Sequence, residues 1–114
     1  MSRLQIRLRM PDRRSEDAGS TVRIALRDTT LADAEHPTVA ETTGTLAPDG
    51  KEIELSVDVP KEQLDARHRY SVWAHVDRDG SGEIRSGDLI TTQDVAVRPD
   101  DLDAGPVEVP VARI

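Results

Sequence analysis

The chain contains no cysteine. Disulfides, thiol catalysis, zinc-thiolate sites and lipidation at cysteine therefore have no residue to act through in these 114 positions. The redox compartment stays open. Phenylalanine is absent too, and the aromatic complement is one Trp and one Tyr. A core must be built from Val, Ile, Leu and Ala in a chain that is 36% hydrophobic and 32% charged. Such a core is small, and a bound metal is a useful extra staple for it. No apolar run approaches a membrane span, and Met1-Ser-Arg-Leu-Gln-Ile-Arg7 alternates like a strand rather than opening a signal peptide. As written, the chain reads as soluble and cytoplasmic. A native start carrying a removed signal would place it in the periplasm or cell envelope. Positive charge is also scarce. The net charge is −7, which repels phosphate and disfavours nucleic acid as a partner.

What is present is period-two alternation. Leu4, Ile6, Leu8 and Met10 alternate with Arg and Gln. The pattern recurs at Val22, Ile24 and Leu26, at Ile53, Leu55, Val57 and Val59, and at Tyr70, Val72, Ala74 and Val76. Val107, Val109 and Val111 repeat it near the end. This is the signature of half-buried strands with one face on a core and one in water. Residues 38 to 46 and 89 to 97 read as strands of weaker alternation. Pro48-Asp-Gly50 is a turn, and residues 11 to 20 and 98 to 106 are loops. Pro60-Lys-Glu-Gln-Leu-Asp-Ala66 suits a single helical turn. The fold class is all-β. The expected architecture is one domain over 1–114, a small antiparallel β-sandwich of about seven strands, immunoglobulin-like or transthyretin-like. Leu64 stands six residues before Tyr70, the spacing of a tyrosine corner, where the hydroxyl bonds to backbone upstream. An ordinary core Tyr is the alternative.

One segment asks for a specific chemistry. Asp77-Arg-Asp-Gly-Ser-Gly-Glu-Ile-Arg-Ser-Gly-Asp88 has the spacing of an EF-hand calcium loop. Asp77, Asp79 and Ser81 stand at positions 1, 3 and 5, Glu83 at 7 and Asp88 at 12. Their side-chain oxygens, with the backbone carbonyl at 7, can wrap a hard cation, Ca2+ or else Mg2+. Gly82 permits the sharp turn, and Ile84 is expected to pin the loop to apolar surface. Asp88 is one methylene shorter than the usual Glu, and Arg85 at position 9 brings positive charge, so weak affinity is expected. The flanks, Tyr70 to Val76 and Leu89 to Val95, are strand-like. The loop therefore closes a β-hairpin, and a bound ion serves structure rather than signalling. The same residues also suit a plain polar turn.

No catalytic constellation appears. His36 precedes Pro37, His68 lies between two arginines, and His75 is expected to point outward beside Trp73. None has a nucleophile-base pattern, and no pair has zinc spacing on a helix. An enzyme using the acidic loop is the least favoured reading. Trp73 is the candidate anchor for a protein partner, with a core Trp under the loop as the alternative. The first fourteen residues carry Arg3, Arg7, Arg9, Arg13 and Arg14 against Asp12. These read as a solvated strand face paired with acidic neighbours.

Val22-Arg-Ile-Ala-Leu-Arg-Asp-Thr-Thr-Leu-Ala-Asp-Ala34, Leu55-Ser-Val-Asp-Val-Pro60, Leu64-Asp-Ala-Arg-His-Arg-Tyr-Ser-Val72 and Thr91-Thr-Gln-Asp-Val-Ala-Val97 together resemble the YbaY-type lipoprotein family and the related YscW-type type III secretion pilotins. The resemblance implies a β-sandwich without catalysis. It also implies a chaperone of secretin subunits at the outer membrane. Members of that group carry a signal peptide and a lipidated Cys, which these residues do not contain. Two functions follow: a calcium-stabilised binding or structural module, or a pilotin-like secretion accessory.

Overall fold

Alternation in the sequence becomes two packed sheets. The computed structural model describes residues 2–31 and 36–114. Met1 and residues 32–35, into which the family-like segment ending at Ala34 runs, lie outside the described residues. Nine strands are found among the described residues: β1 Ser2–Arg9, β2 Thr21–Asp28, β3 Thr38–Thr45, β4 Glu52–Val59, β5 Tyr70–Asp77, β6 Leu89–Ile90, β7 Ala96–Val97, β8 Val107–Pro110 and β9 Ala112–Arg113. Short 3-10 turns occupy Ser15–Asp17, Lys61–Gln63 and Pro99–Asp101. The second is the helical turn expected after Pro60.

One sheet runs β4-β1-β8 and the other β3-β2-β5-β6-β9, with β7 also on β5. Leu4, Ile6, Leu8, Val57 and Val59 of the first sheet form one core with Val22, Ile24, Leu26, Val72, Ala74 and Val76 of the second. Full burial of a Val, Leu or Ile side chain is worth about 1.5–3 kcal/mol, so these positions carry most of the folding free energy. The expected β-sandwich is the observed architecture.

Three expectations are corrected in detail. The strand expected at 89–97 is two short strands, β6 and β7. Between them the backbone still follows β5, since Thr91 N–H donates to Ala74 O at 3.1 Å and Val72 N–H to Val95 O at 3.0 Å. The strand expected through Val111 is likewise two, Val111 N–H still donating to Arg9 O at 3.0 Å before the chain turns away. There the chain leaves β8 in the small sheet and joins the large one as β9. The sandwich is also not purely antiparallel: β1 and β8 pair in parallel, Ile6 opposite Val107.

The arginine-rich start is a solvated ladder. On β1, Arg7 lies 2.9 Å from Glu54, and Arg9 lies 3.1 Å from Glu52 and 3.2 Å from Glu108. Exposed pairs of this kind contribute about 0–1 kcal/mol each, so they set strand register more than stability. At the other end, the amide of Asp65 donates to the buried Tyr70 hydroxyl at 2.8 Å. That is the expected tyrosine corner.

Candidate functional site

β5 departs from the half-buried pattern. Its core face carries Val72, Ala74 and Val76, yet Ser71, His75 and Asp77 on the opposite face are also buried. The loop 77–88 and the segment after β6 lie over that outer face. Their cover is what makes the site.

The loop joins β5 to β6 as an antiparallel hairpin, as its strand-like flanks require. Asp77 is fully buried and accepts from the amides of Gly80 at 3.1 Å and Gly82 at 2.7 Å. Gly82 has φ +82°, a left-handed turn that a side chain disfavours. Asp79 accepts from the Ser81 amide at 3.0 Å, and the Ser81 hydroxyl accepts from the Glu83 amide at 3.2 Å. Asp88 is buried and accepts from the amides of Arg78 at 3.2 Å and Arg85 at 3.1 Å. Its Oδ2 also lies 2.7 Å from Nε2 of His75.

Of the sequence-predicted ligands, Asp77 and Asp88 are brought together. One ligand atom each from His75, Asp77 and Asp88 lie within 4.8 Å of one another. Asp79, Ser81 and Glu83 stay exposed on the outer turn. Arg85 pairs with Asp79 at 3.2 Å and with Glu83 at 2.9 Å, so position 9 does bring its charge to the acids. Asp79 is held down at about 2 by the amide and hydroxyl of Ser81, by the neighbouring Asp77 carboxyl and by Arg85. For Asp88, burial pushes the pKa up, but the His75 contact and the two amides together pull it below the ordinary aspartate value.

His75 corrects an expectation. It does share the outer face with Trp73, but it is 1% exposed, covered by the loop and pinned by Asp88. Its place two residues before Asp77 on one strand face was the signal available. Ile84 is a second correction. Expected to pin the loop to apolar surface, it is 51% exposed and lines the groove that holds Ala25 and Trp73 without being buried there.

A buried ion cluster at the base of the loop has no local signal at all. Asp17 is fully buried, accepts from the Arg14 amide at 2.9 Å and lies 3.3 Å from Arg78 Nε. Arg113 on β9 donates to the same carboxylate and to Gly87 O at 2.6 Å. Burial raises the Asp17 pKa, but the Arg113 hydrogen bond, the Arg14 amide and the Arg113 and Arg78 charges outweigh it and leave it lowered. The loop is thus clamped from residues far apart in sequence.

Trp73 is half-buried on the outer face. The His75 ring meets it edge-on with centroids 5.5 Å apart. The Arg27 guanidinium lies over it, 4.7 Å from the ring centroid. With Arg23, Ala25, Glu41 and Ile84 these residues line a groove of about 650 Å³. A larger hollow of about 900 Å³ opens beside the tyrosine corner. On its rim Arg67 pairs with Asp65, His68 with Asp28, and Asp94 with the Ser71 hydroxyl, while Arg69, Arg98 and Asp100 have no ion pair among the described residues.

Two sheets carrying a clamped loop over an outer sheet face define a small β-sandwich. Residues 1–98 match the family described as type III secretion system lipoprotein chaperone (YscW), and the chain belongs to that family. The structure is similar to that of an alternative pilotin from the type II secretion system of Vibrio cholerae. That likeness has a TM-score of 0.73 at 21% identity and covers 98% of this chain and 97% of the other. It shows the shared fold. No curated protein matches the chain.

Proposed function

We propose that this protein is a pilotin-like accessory chaperone of a secretion system, acting in the cell envelope by binding a secretin subunit rather than by catalysis. The observation that carries this is the family match across residues 1–98, and the pilotin-like fold over nearly the whole chain agrees with it. The family's lipoprotein description favours the envelope over the cytoplasm. Among the described residues no helix is long and apolar enough to cross a membrane, so attachment falls to some other device. The test is deletion of the gene in its own host, followed by fractionation of the cognate secretin. The expected result is loss of secretin multimers from the outer membrane, restored by complementation. Unchanged multimers would overturn the proposal.

A second reading is kept for the 77–88 loop: that it takes Ca2+, or Mg2+, as a structural staple. The convergence of positions 1 and 12 beside His75 supports it. The bonds already satisfying Asp77 and Asp88 make the expected affinity weak. Thermal melts in EDTA, calcium and magnesium test it.

A further inference from the structure

We propose that the groove between the 77–88 loop and β3 is the docking site for the partner, and that it takes a protein segment presenting an apolar side chain beside a carboxylate. The inference rests on the secretin-binding reading and gives it a location.

The hollow follows from the strand register. Ala25 on β2 stands opposite Trp73 on β5 and opposite Glu41 on β3. A small residue between two larger ones leaves a floor below their tips. Arg23 stands opposite His75 and Thr43, one step along the same face. Gly82 and Ile84 of the loop line the groove from the other side. Ile84, half-exposed, is an apolar wall facing an apolar floor of Ala25 and Trp73.

The charge of the groove is opposite to that of the chain. The protein carries −7, yet the groove holds Arg23 and Arg27 against Glu41. Arg23 is 3.9 Å from Asp77 and is partly neutralised by it. Arg27 has no ion-pair partner among the described residues. The Nε atoms of both arginines are shielded from solvent and have no hydrogen-bond partner there. Arg27 is stacked on Trp73, and a stacked guanidinium holds its fork ready for a carboxylate with little further loss of freedom. An acidic side chain or a terminal carboxylate fits that fork bidentately. A polyanion does not fit the site, since the surrounding protein repels it. The larger hollow at the tyrosine corner also holds Arg69 and Arg98, but among the described residues neither is stacked on an aromatic ring as Arg27 is.

The loop and the groove are mechanically joined. Asp88 fixes His75, His75 abuts Trp73, and Trp73 carries Arg27. The loop therefore supplies one wall directly and orients the floor through His75.

Trp73 is the sole tryptophan, so its fluorescence reports on the outer sheet face that carries this groove, and the variants below assign the signal to the groove. The probes are overlapping synthetic peptides tiling the cognate secretin, titrated into the whole protein with Trp emission and indole N–H shifts as readouts. An acidic, apolar segment is expected to bind, shift the Trp73 signals and weaken as salt rises. Arg27→Glu is expected to reduce affinity at least tenfold, with recovery when the peptide's acid is changed to Lys. Ile84→Asp, on an exposed loop where folding is least at risk, is expected to weaken the same peptide. If a segment binds but both variants bind it equally well, the groove is wrong and the secretin reading stands. If no secretin segment binds the wild-type protein, both fall.

Discussion

Nε2 of His75 and Oδ2 of Asp88 lie 2.7 Å apart, and both side chains are almost completely buried. One residue comes from a central strand and the other closes the loop that covers it. Removing the carboxylate strands three partners, the ring of His75 and the amides of Arg78 and Arg85. Leaving such groups buried and unpaired costs about 1–3 kcal/mol each in isolation. Asp88→Ala is expected to lose about 3 kcal/mol in total after relaxation. Urea unfolding should show it as a lower midpoint, with the fall in Tm on the order of 10 °C.

Acid should destabilise the protein through Asp17 and Asp88. Both have pKa values lowered by folding despite their burial. Their stabilisation is complete above the unfolded aspartate value of about 3.9 and is lost as pH falls through the folded values. Stability measured by chemical denaturation from pH 6 downward should therefore fall below about pH 4. The slope should be shallower in Asp17→Asn. Asp28 and Asp65, each held at about 2, are half-buried, so their folded-state bonds add to the same loss as pH falls from about 4 towards 2.

The tyrosine corner predicts a modest and specific loss. Tyr70→Phe keeps the ring but leaves the Asp65 amide without its acceptor. The expected cost is about 1–2 kcal/mol. Hydrogen exchange at the Asp65 amide should accelerate while protection in β1 falls only with global stability.

If the loop takes calcium, excess ion should raise Tm and EDTA should lower it. Calcium at about 100 times its dissociation constant adds about 2.7 kcal/mol, several degrees for a chain of this size. Asp79→Asn is the clean variant, because Asp79 is exposed and its loss spares the buried bonds. It should abolish the calcium shift and leave the EDTA melt nearly unchanged. Asp88→Glu restores the longer ligand but must fit beside buried His75. Identical melts in calcium and EDTA would reduce the loop to a hydrogen-bonded turn.

Much of this was legible in the sequence, for physical reasons. The alternation at Leu4, Ile6 and Leu8 names the core face of β1, because strand side chains change sides at every residue. Tyr70 and its corner and the hairpin across Asp77 to Asp88 are likewise local, while the arginine face is legible from its alternation although its acidic partners are distant. The burial of His75 was legible only through its place beside Asp77 on one strand face. A histidine opposite Ala74 and Val76 reads as solvent-facing unless something covers it, and the cover is a tertiary fact. The same holds for Asp17, whose partners Arg78 and Arg113 lie far along the chain. The parallel pairing of β1 with β8 has no sequence signature, since both strands alternate as any edge or centre strand does.

That parallel pairing also governs the order in which the molecule can be completed. β1 is the middle strand of its sheet, and Ile6 waits for Val107, 101 residues further along. Closing so long a loop is entropically costly and slows folding. Until β8 arrives, one flank of β1 presents unpaired backbone, and the small sheet remains open along Ile6 to Arg9. β8 is therefore the latch of the small sheet.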